Sequence, residues 1–245
     1  MSRFAFLMTL LLFLHFVFAE PLVAINSQDG RDVLSGIFYA GVKGLPVHFM
    51  TSATGTDIFL AKIGTDKQIL LIESADQPFS GLIESELKAR NNQVEKFLST
   101  DGGQTNLELA LQSGANTFII VDSAYSDSAI SVLPYAYALK AYVIFADSSN
   151  IDKVKQIVSG KQVILYGYLG SKVLQELGPI SSQRIGKGED KYEDNVELVR
   201  IMLSKFPQER VIISDGASIE DGMIGTIPIL LSGRLVPQVT YDFLK

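Results

Sequence analysis

Short apolar runs rich in Val, Ile and Leu punctuate this chain, and longer stretches of mixed apolar, small and polar residues separate them. The runs are flanked by turn-forming residues, which is the pattern of strands buried on both faces rather than of half-exposed strands. Val23-Ala24-Ile25, Phe118-Ile119-Ile120-Val121 and Ile212-Ile213 each lead through a polar turn to an aspartate: Asp32, Asp127 and Asp221. These aspartates recur at intervals of about 95 and then about 94 residues. Fourteen positions after each one a second apolar run begins: Pro46–Met50, Ala141–Phe145 and Leu235–Val239. Between the runs, residues 32–43 and 127–139 read as helix, followed by shorter helices at 57–63 and 151–158. Strands at Gln68–Ile72 and Gln162–Tyr166 come next, then helices at 78–90 and 171–177. Helices at 105–113 and 194–205 close the pattern.

Doubly buried strands that alternate with helices predict parallel sheets covered on both faces, with right-handed crossovers. The expected fold is therefore α/β, as tandem three-layer modules with small, mostly parallel sheets of Rossmann-like or Toprim-like kind. The expected divisions are 1–19 as a signal peptide, 20–115 and 116–209 as two α/β repeats, and 210–245 as a partial third.

The N-terminus reads as a targeting segment. Arg3 precedes an apolar run from Phe4 to Phe18, and small residues at Val17 and Ala19 suit cleavage before Glu20. The run falls short of the roughly 20 residues that span a bilayer. An uncleaved anchor is the alternative; either reading exports the rest of the chain.

Composition narrows the chemistry. With 47% hydrophobic and 20% charged residues, the 245-residue chain can build a packed core. A net charge of −6 and no basic tract argue against nucleic acid as a partner. With no cysteine and two histidines, His15 and His48, neither a thiol site nor a multi-histidine metal site or Ser-His-Asp triad is expected. No catalytic residue, metal or cofactor is assigned. His48, in an apolar strand, reads as a core side chain.

The most patterned segments are Tyr166-Gly167-Tyr168-Leu169-Gly170-Ser171 and the stretch from Arg184-Ile185-Gly186-Lys187 through Asp190-Lys191-Tyr192-Glu193 to Asn195-Val196, each before a helix. With the order of elements, they resemble the cell-wall-binding repeat family of type 2, in which an Arg-Ile-x-Gly-x-Asp-Arg-Tyr-like stretch precedes a helix. The likeness covers roughly 22–245 and is best over 117–232. Lys191 stands where the family has Arg, and the corresponding stretch around Asp101 lacks both Arg and Tyr. The resemblance implies modules that pack together, three at a time, and non-covalent attachment to a cell-envelope glycopolymer or to surface-layer proteins. It implies no catalysis.

Several residues carry two readings. Asp32, Asp127 and Asp221 suit the start of a helix, where a carboxylate accepts unpaired N–H groups; alternatively they face a ligand at the strand ends. Arg184 and Asp190 suit an ion pair pinning an inter-module loop; alternatively Arg184, Lys187 and Lys191 meet an anionic glycopolymer while Tyr192 stacks on a sugar. Gly167-x-x-Gly170-Ser171-Lys172 lacks the loop length of a nucleotide-binding turn. Small residues at Gly36, Ser131 and Gly225 suit close helix packing, and Pro134 and Pro228 suit kinks or ends of helices. Glu73, Asp76, Asp122, Asp147 and Asp215 sit at or just after strand ends. Two other readings remain open: an exported two-lobed solute-binding protein, and a carboxylate- or metal-dependent hydrolase. Homo-oligomerisation fits any of them.

Overall fold

In the computed structural model, which describes residues 21–124 and 126–245, the apolar runs become strands of two four-stranded parallel sheets and one two-stranded parallel sheet. The expected signal segment, with His15, lies outside the described residues. No helix among them is long and apolar enough to cross a membrane.

The first sheet holds β1 (Pro21–Asn26), β2 (Val47–Phe49), β3 (Gln68–Ser74) and β4 (Gln93–Ser99) in the order β2-β1-β3-β4. Helices α1 (Gly30–Lys43), α2 (Thr56–Ile63) and α3 (Ile83–Ala89) connect them, and α4 (Gly102–Ser113) follows. The second sheet repeats that order as β6-β5-β7-β8, with β5 (Thr117–Asp122), β6 (Tyr142–Ala146), β7 (Gln162–Tyr166) and β8 (Gln183–Ile185). Its helices are α5 (Ser126–Leu139), α6 (Ile151–Ile157), α7 (Ser171–Leu177) and α8 (Lys191–Lys205). The third sheet pairs β9 (Ile212–Ser214) with β10 (Ile229–Leu231), and α9 (Gln238–Leu244) comes last.

Successive residues of β1 feed two cores, as strand alternation requires. Leu22 and Ala24 pack with Phe59, Leu60, Ile63, Ile83 and Leu87 under α2 and α3. Val23 and Ile25 join α1 and a larger core that continues through the second sheet to Ile229 and Leu231 of the third. The three-layer α/β arrangement is thus present, and the apolar interior is continuous from sheet to sheet. Gly36 permits the close approach of α1: a Cβ there would lie 2.6 Å from Ile25 Cδ1 and 2.9 Å from Ile72 Cδ1.

Each closing helix also touches the sheet after its own. Helix α4 packs on β6, and α8 packs on β10. The fully buried Asn106 on α4 donates from Nδ2 to Val143 O (3.0 Å) and accepts at Oδ1 from Phe145 N (3.0 Å). Asn195 on α8 makes the same pair with Ile229 O (2.9 Å) and Leu231 N (2.7 Å). One amide side chain therefore serves each outer strand as a short stretch of neighbouring strand, satisfying backbone groups that burial would otherwise leave unpaired.

Several expectations change. The fourth strands β4 and β8 had no apolar signature: β4, at a sheet edge, is exposed or half-buried up to its last residue, and β8 is three residues long. In the third segment the second strand is Ile229–Leu231 and not Leu235–Val239; Leu235 is 85% exposed and Pro237 leads into α9. The helix expected after Asp221 is a single 3-10 turn, Asp221–Met223. Gly222, Gly225 and Pro228 crowd that stretch, and each disfavours a helix interior. Pro134, by contrast, sits inside α5, which runs on to Leu139.

Candidate functional site

The residues best placed to meet a ligand lie where the second sheet's connections diverge. From β5 the chain crosses to β6 on one side, while β7 pairs with β5 on the other. The loops at the C-terminal ends of such strands separate and leave a crevice. Here it is a cleft of about 220 Å³, lined by Asp127, Ser128, Tyr166, Gly167, Tyr168, Gly188, Glu189, Lys191, Asp194 and Leu231.

Its walls come from two loops, two helix starts and the ends of β7 and β10. Asp127, in the first turn of α5, accepts Ser128 N at 2.9 Å and pairs with Lys191 Nζ at 2.8 Å. That hydrogen bond raises the ammonium pKa of Lys191, whose Nζ also lies 5.3 Å from the Tyr192 ring centroid. Asp194 binds the glycine-rich loop: its carboxylate accepts Lys187 N at 2.7 Å and Gly188 N at 3.0 Å. Burial pushes the Asp194 carboxyl above its ordinary range, against the pull of those two N–H groups. Gly188 has φ +78°, and a Cβ there would lie 2.6 Å from Tyr168 Cα, so this loop rests directly on the backbone of the β7–α7 turn. Tyr168 itself is 51% exposed at the cleft.

Of the residues expected to meet a ligand, Lys191 and the helix-start Asp127 line this cleft. The others are placed differently. Arg184 does not pair with Asp190; its Nε and Nη2 donate to Gly186 O (3.3 Å) and Lys187 O (3.2 Å), stapling the glycine loop. Asp190 caps α8, accepting Tyr192 N (2.7 Å) and Glu193 N (3.2 Å). Lys187 is exposed on the loop. Tyr192 packs toward the third sheet, where a Cβ on Gly233 would come within 2.7 Å of its phenol oxygen. The exposed aromatic side chain at the cleft is therefore Tyr168, since Tyr166 is buried. Sequence reasoning does not single it out as a contact residue, because it lies in the β7–α7 turn, far along the chain from the charged motif it joins.

The first sheet has a cleft at the same place, about 210 Å³, in which Asp29, Arg31, Asp32, Ser99 and Asp101 are engaged within the protein. The α1 cap is Asp29, not Asp32: Asp29 accepts Arg31 N at 2.8 Å. Arg31 also pairs with the Asp29 carboxylate at 2.8 Å and lies 3.8 Å from Asp101. Burial opposes ionisation of Asp29, but the bonds from Arg31 outweigh it and hold the carboxyl below its usual range. Asp32 lies deeper, buried, accepting Ser27 Oγ and Ser99 Oγ at 2.7 Å each. Asp101 caps α4 through Gly103 N. Among the described residues no aromatic side chain lines this cleft.

Asp221 sits on the 3-10 turn, ion-paired with Lys62 of α2, so the third segment meets the first sheet there. His48 stands nearby, half-buried; burial lowers its pKa, Asp221 raises it and Lys62 lowers it. The strand-end acids mostly close local structure. Asp122 accepts Ala124 N, Asp147 accepts Ser149 N and Asn150 N, and Asp215 accepts Ala217 N. Glu73 pairs with Lys96 and accepts Asn26 Nδ2. Among the described residues no group of three His, Cys, Asp or Glu side chains is placed to hold a metal ion.

Parallel β2-β1-β3-β4 sheets in tandem, each with a cleft at its strand-divergence point, define an α/β architecture with recognisable neighbours. Cwp8 from Clostridium difficile superposes with a TM-score of 0.65 at 18% identity, over 92% of this chain and 42% of that one. Cwp6 from Clostridium difficile does so with a TM-score of 0.67 at 16% identity, over 92% and 40%. This chain thus spans about two fifths of either neighbour, and at such identity the likeness is one of fold. No family model matches the chain, and no curated protein matches it in sequence.

Proposed function

We propose that this is an exported, non-catalytic cell-envelope protein that attaches to a wall or surface glycopolymer, or takes its place in a surface layer. The observation that carries the reading is the cleft of the second sheet, where an ion pair, an exposed tyrosine and a glycine-built loop meet at the edge that α/β sheets use for ligands. The signal-like N-terminus supports export, and the family resemblance around Arg184–Val196 supports attachment. The fold shared with Cwp8 and Cwp6 is consistent with both. We place no reaction on the strand-end acids: Asp122, Asp147, Asp215 and Glu73 are engaged by turn N–H groups and Lys96, and no metal-holding group of three acids or histidines forms among the described residues. In this reading the chain divides into a signal at 1–19, repeats at 20–115 and 116–209, and a partial repeat at 210–245. The helix that ends each repeat also serves the sheet of the next.

Co-sedimentation with purified envelopes of the source organism tests it. Saturable retention of the wild-type chain, reduced about tenfold or more by Tyr168→Ala or Lys191→Ala, is expected. Absence of retention, or retention unchanged in both variants, would overturn the assignment of attachment to this cleft.

A further inference from the structure

We infer that the cleft of the second sheet binds an uncharged sugar unit through its hydroxyls and one ring face, and not a phosphate or carboxylate group of a polymer. This rests on the attachment reading above and specifies its chemistry.

The charge at the site decides first. Three carboxylates, Asp127, Glu189 and Asp194, line the cleft with one cation, Lys191, and that cation is already bound to Asp127 at 2.8 Å. An incoming anion would meet an excess of negative charge at close range. Arg184, the nearby guanidinium, donates to carbonyls of its own loop.

The backbone decides second. Phosphate sites in α/β folds use free N–H groups at a loop and helix start. Here carboxylates have taken them. Asp194 accepts from Lys187 and Gly188, Asp190 from Tyr192 and Glu193, and Asp127 from Ser128. The amides of Lys187 and Gly188, at the tip of the glycine loop, therefore already have an anionic partner.

What the cleft does offer suits a neutral ring. The half-exposed Tyr168 gives it an apolar surface for the C–H face of a pyranose. The Asp127–Lys191 pair supplies an acceptor and a donor side by side, and Ser128 adds a hydroxyl, which together match vicinal sugar hydroxyls. The volume of about 220 Å³ lies below the about 300–1,000 Å³ of sites for drug-sized ligands, so one sugar residue is held rather than a longer segment.

Saturation-transfer NMR on the purified chain tests the inference directly. The probes are methyl hexopyranosides, the matching uronates and the matching hexose 6-phosphates, and a parallel arm measures competition for envelope retention. At least one neutral glycoside should give transfer that Tyr168→Ala abolishes, and should compete about tenfold better than its charged counterparts. Retention should change less than about twofold between about 0.05 and 0.5 M salt. Stronger transfer from the phosphate or uronate sugars, a steep loss of retention with salt, or no transfer from any sugar would overturn the inference. In the first two cases envelope attachment itself would stand. Envelope retention lost while a neutral glycoside still binds at Tyr168 would overturn attachment and keep the sugar site.

Discussion

Replacing Asn195 by Ala should release the third sheet from the second while leaving the second intact. The Asn195 side chain is wholly buried and satisfies two backbone groups, Ile229 O at 2.9 Å and Leu231 N at 2.7 Å. Both belong to residues with no more than 1% exposure, so water cannot readily take the place of the amide. A buried group left without its partner costs about 1–3 kcal/mol, which sets the total at about 2–4 kcal/mol if the two losses partly overlap. β9 and β10 share three register pairs, a short ladder with little to resist opening. The loss should therefore appear as local opening rather than global unfolding. At about 1.4 kcal/mol per factor of ten, the opening constant rises roughly 30- to 700-fold. Hydrogen exchange reads this directly. Amides of Leu231 and its neighbours should lose protection by that factor, while those of β5 and β7 keep theirs. Asn195→Asp tests the geometry further, since it keeps the size and the acceptor but cannot donate to Ile229 O, and it should be no better tolerated. Exchange at Leu231 within about threefold of wild type in the Ala variant would refute the idea that this amide holds the strand.

Gly188→Ala should cost about 2–4 kcal/mol in urea unfolding, from left-handed backbone strain and a Cβ forced against Tyr168 Cα at 2.6 Å; Gly170→Ala, where nothing lies within 4 Å, should change little. Lys62→Ala should lower stability by less than about 1 kcal/mol, since both members of its pair with Asp221 are about half exposed, and high salt should produce the same loss in the wild type. His48 should make the fold acid-sensitive. Burial holds its folded pKa below the unfolded value, so the unfolded chain takes up the proton first, and stability falls as pH drops below about 6.5. Thermal melts of His48→Gln between pH 5 and 7.5 should show a flatter profile than the wild type, and identical profiles would count against this account.

The local pattern of the sequence determined most of the repeated architecture. Runs such as Phe118–Val121 and Gln162–Tyr166 carry apolar residues on both faces, and a strand so composed has to be covered by helices on both sides. That is why α1, α2, α5 and α6 fall within a few residues of where the pattern puts them. The glycines and Asp190 of the Arg184–Val196 stretch likewise mark a tight loop and a helix start by residue type alone.

Tertiary structure alone decided the rest, because those features depend on partners distant in the chain. β4 and β8 are strands because β3 and β7 offer them open edges; their own residues are too polar or too few to say so. Asn106 and Asn195 each follow a capping aspartate by five positions, a visible correspondence, yet a polar residue on a helix shows its purpose only when the next sheet's outer strand lies against it. Asp29 takes the cap because α1 begins at Gly30, which puts Asp32 inside the first turn, buried between Ser27 and Ser99. The cleft, finally, joins Asp127, Tyr168 and Lys191 from the starts of two helices and the turn between β7 and α7. No local periodicity encodes such a meeting; the order of strands in the sheet does, by bringing the C-terminal ends of β5, β7 and β8 to one edge.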